Sequence, residues 1–565
     1  MFRDAHTSHG DRITEEWREV ELPDGYGAVG ALALNYSVNQ GRVGWWLRLA
    51  AGTSTTDFSR FEDGNLILRV LQTPPEWRVE LKSGSRTHDC LVRIRPEEVC
   101  ALRSRGFTDV VIPLDAFGGV ELTELRELTI GFDGDHLDVE HRRGELRIAQ
   151  IGLSKTDRFA DDPDAILEDL GQRAFRWFET HRHPDSGLIL DRAPNREGGR
   201  PSADTASPSS VASVGYYLTL LPEWVRLGYL THEEAARRAE RTLRFIVDEV
   251  PCHKGVLYHF VDWRNGERWT ASEVSTLDHA ICANGAMTAG MAFGGGAREL
   301  AERLLDRVDW QEFLITDPQS GKRVLSLGWT PEEGFLAPAG TTSSEMAMLY
   351  FLAIGSQRGI EPEIWFNTAV DWQESAVGRV LNAQHPLFTS QYGMNWHDLE
   401  GFVFRDGVDL SLNARRAALL NRGFCRRAAG AELTYHHSEG GWWGISSGDS
   451  PNGYSAFGPV GLADGIVWPS VALASLPWAP SELKKDLVRW RNSRAWHVAC
   501  GPYGLSPFRI GREPWVGDDL IGIDLGSFAV SLANHRARTV WNLWMSHPVA
   551  QVSYSRLGLV TAERQ

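Results

Sequence analysis

The chain has 565 residues, 42% of them apolar, enough for more than one domain with its own core. Its 74 acidic and 58 basic residues leave a net charge of −16, which opposes a phosphate backbone and argues against a nucleic-acid partner. Six cysteines without a Cys-x-x-Cys pair supply neither a disulfide framework nor a zinc signature. P-loop and HExxH patterns are absent, which removes the common phosphate and zincin chemistries. The first 22 residues are charged and contain no apolar stretch of a secretory leader. No apolar run nears the roughly 18 residues of a membrane span. A cytoplasmic chain with no membrane partner is the expectation.

Residues 1–154 read as an all-β sandwich. Apolar or period-two runs occur at 30–36, 45–50, 65–71, 77–82, 91–95, 109–113, 127–132 and 145–153. Turn residues separate them, as at Glu62–Asp63–Gly64 and Ser83–Gly84–Ser85. Short strands at this spacing predict an antiparallel sandwich. The phrases FTDVVIPLDAF, LRELTIGFDG and LRIAQIGLS resemble the galactose-binding-like jelly rolls attached to many glycoside hydrolases. Residues 155–164 are charged, with a proline near their end, and read as a linker.

From residue 165 to 565 the period changes. Ile166, Leu167, Leu170, Ala174, Phe175 and Phe178 recur at helical spacing. Further helices are predicted at 211–221, 233–246, 278–293, 297–313, 344–354, 363–380, 412–427, 481–491 and 528–544. This length accommodates about twelve helices with long loops, and no fixed-period repeat marks a solenoid. An all-α (α/α)6 toroid fits.

The loops carry the chemistry. Residues 186–195 place Asp191 beside Arg192, an arrangement that a surface salt bridge also explains. Residues 269–279 hold Trp269, Glu273 and Asp278, with Ser272 or Ser275 capping the next helix. Asp278 in a first turn fits a hydrogen-bonding role, whereas Glu273 near Trp269 fits a proton donor. Residues 395–406 contain Trp396, His397, Asp398 and Glu400. Residues 440–454 contain Trp442, Trp443, Asp449 and Tyr454; paired Trp beside an Asp suits a sugar subsite, and core packing suits one of the pair equally. Residues 514–536 contain Asp524, His535 and Arg536, and Glu345 opens another predicted helix. Two well-placed carboxyl groups with stacking rings are what glycoside hydrolysis requires.

An ordered series runs through the helical part: FRWFETHRHPDSGLILDR, SVASVGYYLTLLPEWVRLGYLTHEEAARR, GVLYHFVDWRNGERWTASEVSTLDHA, LGWTPEEGF, WWGISSGDSPNGY, DGIVWPSVALASLPWAP and IGIDLGSF. In these motifs the chain resembles the glycoamylase-like proteins of glycoside hydrolase family 144, the bacterial endo-β-1,2-glucanases and relatives. The resemblance implies an (α/α)6 barrel that hydrolyses β-1,2-linked glucan with inversion and with no metal or organic cofactor. It implies Glu273 as the acid, with Asp191 or Asp449 as the base and Asp398 in reserve. Arg192, Trp269, Asp278, Glu345, Trp396, Trp442, Trp443, Tyr454, Asp524, His535 and Arg536 are the expected substrate-binding set. The inverting arrangement would set the two carboxyl groups about 6.5–9.5 Å apart.

Departures from the family pattern bear on specificity. The segment GLSPFRI places Ser506 and Arg509 where the family has Asp and Asn; DLGS and ANHR replace Asp-Gln-Gly-Pro and Glu-Asn-Tyr-Arg, so Ala533 stands at a Glu position. Fold and specificity separate readily, so linkage, sugar and endo or exo action stay open. Transglycosylation and sugar binding without turnover are the alternative functions.

Overall fold

The computed structural model describes residues 3–6, 11–21, 28–39, 41–49, 57–61, 64–72, 76–83, 91–94, 101–104, 107–118, 120–154, 162–196, 206–430, 432–459, 464–511 and 513–561. Strands β1 (Arg3–His6), β2 (Arg12–Glu21), β3 (Ala28–Ser37), β4 (Arg42–Arg48), β5 (Asn65–Gln72), β6 (Trp77–Ser83), β7 (Leu91–Ile94), β8 (Ala101–Ser104), β9 (Phe107–Pro113), β10 (Leu125–Asp133) and β11 (Arg143–Ser154) form the N-terminal region. They make a five-stranded sheet in the order β1-β4-β10-β6-β7 and a six-stranded sheet in the order β2-β3-β11-β5-β9-β8. Both sheets feed one core: Leu34, Leu68, Val70 and Leu146 from the larger meet Trp45, Val79, Ile130 and Phe132 from the smaller. Tyr36 stacks on Phe132 across it at 4.0 Å.

All eight predicted strands are present. The predicted ends at Ala50 and Arg95, the turn residues Glu62, Asp63, Gly84 and Ser85, and linker residues 155–161 lie outside the described residues. Strands β1, β2 and β8 escaped the sequence reading. Each is a sheet edge, paired on one side only, and β2 leaves Glu15, Glu16 and Trp17 exposed. An edge strand lacks the clean apolar alternation of an interior one.

The helical region comprises α1 (Pro163–Thr180), α2 (Val211–Arg226), α3 (His232–Asp248), α4 (Thr276–Phe293), α5 (Gly295–Asp306), α6 (Ser344–Gly355), α7 (Leu410–Ala428), α8 (Pro469–Leu473), α9 (Pro480–Arg491), α10 (Arg494–Ala499), α11 (Gly522–Ala537), α12 (Thr539–Met545) and α13 (Pro548–Leu557). Two helix types alternate. Helices α2, α4, α6 and α11 are buried nearly all round. Helices α1, α3, α5 and α9 bury one stripe, as α3 does with Ala235, Ala239, Leu243 and Ile246. An all-round buried helix must lie inside a layer of amphipathic ones. Among the described residues no helix is long and apolar enough to cross a membrane.

The predicted helix at 363–380 is overturned. That segment is a 3-10 turn, Pro362–Asn367, followed by a hairpin pairing Trp372–Gln373 with Val380–Leu381. Thr368 bonds back to the Trp365 carbonyl, and Gly378 sits at φ 94°, which suits a turn and breaks a helix. The predicted 528–544 helix breaks at Arg538, whose φ is 54°.

Helices α2 and α4 approach closely because both carry glycine at the crossing. A Cβ on Gly285 would lie 2.1 Å from the Gly215 carbonyl oxygen. Gly285→Ala is therefore expected to cost about 3 kcal/mol by forcing the helices apart. Gly430→Ala, with no atom within 4 Å of the added carbon, is the control. Thermal unfolding of both variants distinguishes them; equal midpoints would contradict the packing argument.

Candidate active site

The starts of three of the buried helices, α2, α4 and α11, are anchored to neighbouring loops through backbone hydrogen bonds. Val211 N of α2 donates to His259 O at 3.1 Å, and Gly522 N of α11 donates to Asp191 O at 2.8 Å. His259 N donates to Glu273 O at 2.8 Å, just ahead of α4. Ser210, Ser275 and Ser343 cap α2, α4 and α6. Of the two capping candidates before α4, Ser275 does so, while Ser272 Oγ accepts from Phe260 N at 2.9 Å. Acids then occupy the first turns: Asp278 in α4, Glu345 in α6 and Asp524 in α11.

Arg192 is one hub of this cluster. Its Nε donates to Asp191 at 3.0 Å, and its Nη1 reaches both oxygens of Asp449 at 2.8 and 3.0 Å. Strand pairing of Arg192–Pro194 with Asp519–Ile521 holds it in place. Burial disfavours its charge, but Asp191 and Asp449 outweigh burial and raise its pKa. Asp449 lies opposite Tyr454 in the hairpin Ser447–Ser450/Gly453–Ala456, so both side chains share one face. Tyr454 is 59% exposed, an available ring at the rim.

His259 is the second hub. Its Nδ1 lies 2.8 Å from Glu273 Oε1 and its Nε2 lies 3.3 Å from Asp278 Oδ1. Ser275 Oγ donates to Asp278 Oδ2 at 2.5 Å, and the imidazole stacks on Phe260 at 3.7 Å. Burial opposes the imidazolium, but Asp278, Glu273 and Asp191 override it and push the pKa up to about 9. Burial alone would raise the Glu273 pKa; the hydrogen bond from His259 and its charge lower it instead. The ligand atoms of His259, Glu273 and Asp278 lie within 4.8 Å of one another, the composition of a metal set. Each carboxylate faces its own ring nitrogen, Glu273 at Nδ1 and Asp278 at Nε2.

Two acids behave oppositely to Glu273. Burial, then the charge of Asp278, raises Glu345 to about 8. Burial, then Asp191 and Asp449, raises Asp524 to about 7, although Tyr392 donates to it at 3.0 Å. Helix N-termini favour ionised carboxylates, so burial and like charge prevail here. Asp449 and Asp524 also line one cavity of about 10 Å³. Glu345 unfolded titrates near 4.3. Its folded pKa is higher, so its contribution to stability is present in full below about pH 4.3 and is lost as pH rises through 8. Asp524 and His259 act in the same direction, over about pH 4–7 and 6.5–9. The protein is expected to lose thermal stability from pH 6 to 9, and Glu345→Gln to lose less. Parallel melting curves for the two proteins would contradict this.

Other expected site residues lie elsewhere. Trp396 is fully buried, its Nε1 donating to Thr219 at 3.1 Å. Trp442 stacks on Trp490 at 4.7 Å, and Trp443 donates to the buried Asp486 at 2.9 Å. These three indoles are core and offer no face to a sugar. His535 and Arg536 occupy the last turn of α11, the end opposite Asp524 and about 17 Å from it along the helix. Arg536 pairs there with Glu168 of α1. Asp398 pairs with Arg538 at that same end and lines a separate cavity of about 420 Å³ with Trp478 and Trp541. Trp269 is half-buried on the turn leading to Glu273, next to Thr270 at φ 44°. His259 and Tyr392 were not singled out from the sequence. The one signal for His259 was a polar residue set between Tyr258 and Phe260 in an apolar run; the structure places it at the bend between the strands Val256–Leu257 and Phe260–Asp262.

The Glycoamylase family model matches residues 340–548. The chain is 24% identical over 438 residues to an exo-β-1,2-glucooligosaccharide sophorohydrolase (non-reducing end) of Parabacteroides distasonis, covering 70% of this chain and 58% of that protein. It thus spans somewhat over half the length of this curated relative. An endo-β-1,2-glucanase from Chitinophaga pinensis, solved with sophorotriose and glucose, superposes with a TM-score of 0.63 at 23% identity, over 71% of this chain and 99% of that one. A β-1,2-glucanase from Parabacteroides distasonis superposes with a TM-score of 0.62 at 16% identity, over 98% of this chain and 97% of that one. That last likeness extends the shared fold across both the β-sheet and the helical regions.

Proposed function

We propose that this chain, whose residues 340–548 carry a Glycoamylase-type domain, is a glycoside hydrolase of β-1,2-linked glucan. The observation that carries the reading is the convergence of Asp191, Glu273, Asp278, Glu345, Asp449 and Asp524 around Arg192 and His259 at the helix starts. The names of the relatives supply the substrate class. In this reading residues 1–154 are a jelly roll, 155–164 a linker and 165–565 an (α/α)6 toroid. The alternation of enclosed and amphipathic helices supports the toroid, and the two facing sheets support the jelly roll.

Glu273 protonates the leaving glycosidic oxygen, and Asp191 or Asp449 activates a water on the opposite face of the sugar, giving inversion. Arg192 aims the base through its hydrogen bonds to both carboxylates. Glu345 and Asp524, protonated near neutral pH, donate hydrogen bonds to sugar hydroxyls, and Tyr454 covers a ring face. The raised Glu345 and Asp524 favour a second assignment, in which one of them is the proton donor. Glu345→Gln and Asp524→Asn separate the two: the donor's variant loses turnover of ordinary glucan and keeps turnover of an activated aryl glycoside.

The function is tested by incubating the purified chain with linear β-1,2-glucan, other β-glucans, α-glucans and arabinan and measuring new reducing ends. Release from β-1,2-glucan alone is expected. Release only from another polymer would overturn the substrate, and silence on all would overturn the hydrolase.

A further inference from the structure

Glu273 poses a problem for an acid: the neighbouring cation holds it ionised in the free protein. The geometry of His259 answers it. The ring has one nitrogen on Glu273 at 2.8 Å and the other on Asp278 at 3.3 Å. Its backbone is fastened at both groups, N to Glu273 O and O from Val211 N, and its face rests on Phe260. A neutral imidazole carries one N–H and can satisfy one carboxylate, whereas only the imidazolium donates to two. The groups facing it are Glu273 ahead of α4, Asp278 in α4 and Asp191 in the loop before Arg192. Behind these stand Glu345 of α6, which faces Asp278, and Arg268, which faces Glu273.

We propose that His259 is a positioning residue that clamps Glu273 and Asp278 as an imidazolium and stores the proton Glu273 delivers to the leaving oxygen. This rests on the hydrolase reading above. When substrate displaces water, the proton passes from Nδ1 to Glu273 Oε1. The carboxyl turns about its last side-chain bond and gives that proton to the glycosidic oxygen as the C–O bond breaks. The attacking water bonds to the anomeric carbon and leaves its proton on the base carboxylate. That proton goes to solvent after product release, and the imidazole regains one. The net change is one water added across one glycosidic bond.

Two measurements test this. First, the Cε1 resonance of His259 in the intact, substrate-free chain, labelled on histidine and assigned with His259→Gln, should titrate near pH 9. Its midpoint should fall by about one unit or more in Asp278→Asn. A midpoint at or below about 6.5 overturns the clamp whatever the protein hydrolyses. Second, kcat/KM on β-1,2-glucan should fall at alkaline pH with the His259 titration. In His259→Gln the freed, buried Glu273 then sets the limb, which moves to lower pH by about two units. The variant is about 100-fold slower than wild type at pH 8 and within about tenfold at pH 5. A uniform loss at every pH would mean a merely structural role and overturn the proposal. If wild type turns over no glucan, the resonance still decides, so failure of the substrate reading and failure of the clamp are distinguishable. Asp278→Asn, which retains the side chain's shape, serves if His259→Gln does not fold.

Discussion

Glu273→Gln is expected to lower turnover of β-1,2-glucan by at least about 10³-fold while KM changes little. The carboxamide keeps the shape of the side chain and can still accept from His259 Nδ1, which lies 2.8 Å from Oε1 in the parent, so the site should stay assembled. It has no proton to give, and an alkoxide leaving group of an ordinary sugar cannot depart without one. The loss should therefore shrink to about tenfold or less with a β-linked glucoside whose leaving group is a nitrophenolate, which departs as the anion. Equal losses on both substrates would mean that Glu273 acts in binding or architecture. Thermal unfolding provides the second check. Glu273→Gln keeps the hydrogen bond but removes one of the two negative charges that face the imidazolium, so the variant should be less stable than wild type near pH 7, when His259 is charged.

The second large effect is expected at Arg192. Its guanidinium is the cation between Asp191 and Asp449, and its charge also lowers the neighbouring Asp524. Arg192→Ala leaves these carboxylates without their shared cation, and each favours protonation of the others. A base that has taken up a proton cannot activate water. Turnover at pH 7 is expected to fall by about 10²–10³-fold. It should recover partly as pH rises and the carboxylates ionise, unlike wild type. Arg192→Lys should restore charge without the two-oxygen grip on Asp449 and fall between the two. A rate for Arg192→Ala within a factor of three of wild type would place the site elsewhere.

The sequence made the interior of the fold legible and its edges less so. The eight strands found by alternation include every one paired on both sides, because such strands carry their apolar residues on a fixed period. Strands β1, β2 and β8 carry weaker patterns because an edge satisfies half its backbone elsewhere. Helices such as α3 announced themselves through a stripe, and α4 through an apolar run too long for a strand. The stretch at 363–380 has comparable apolar content, but Thr368 and Gly378 turn the chain there, and such local bonds are weak in a periodicity count.

The cluster itself was partly legible. Asp191, Glu273 and Asp449 stand out in their loops and take their roles from the resemblance, and the structure brings them to one pair of hubs. His259 was missed because its importance lies in contacts to residues 14 and 19 positions away, across a strand and a helix start. Trp442 and Trp443 were misread because WW in a glycine-rich loop has the composition of a sugar platform, and only the tertiary fold puts Trp490 and Asp486 against them. His535 and Arg536 were misread for a related reason: they share a helix with Asp524 but stand at its other end.

The central claim is that the carboxylate cluster around Arg192 and His259 cleaves a β-1,2 linkage by direct attack of water. Proton NMR of the reducing end formed in the first moments of digestion of linear β-1,2-glucan tests it most directly. The account predicts that the α-anomer forms first and then mutarotates, as inversion by two separated carboxyl groups requires. Initial formation of the β-anomer, which needs a covalent intermediate on one carboxylate, would contradict it.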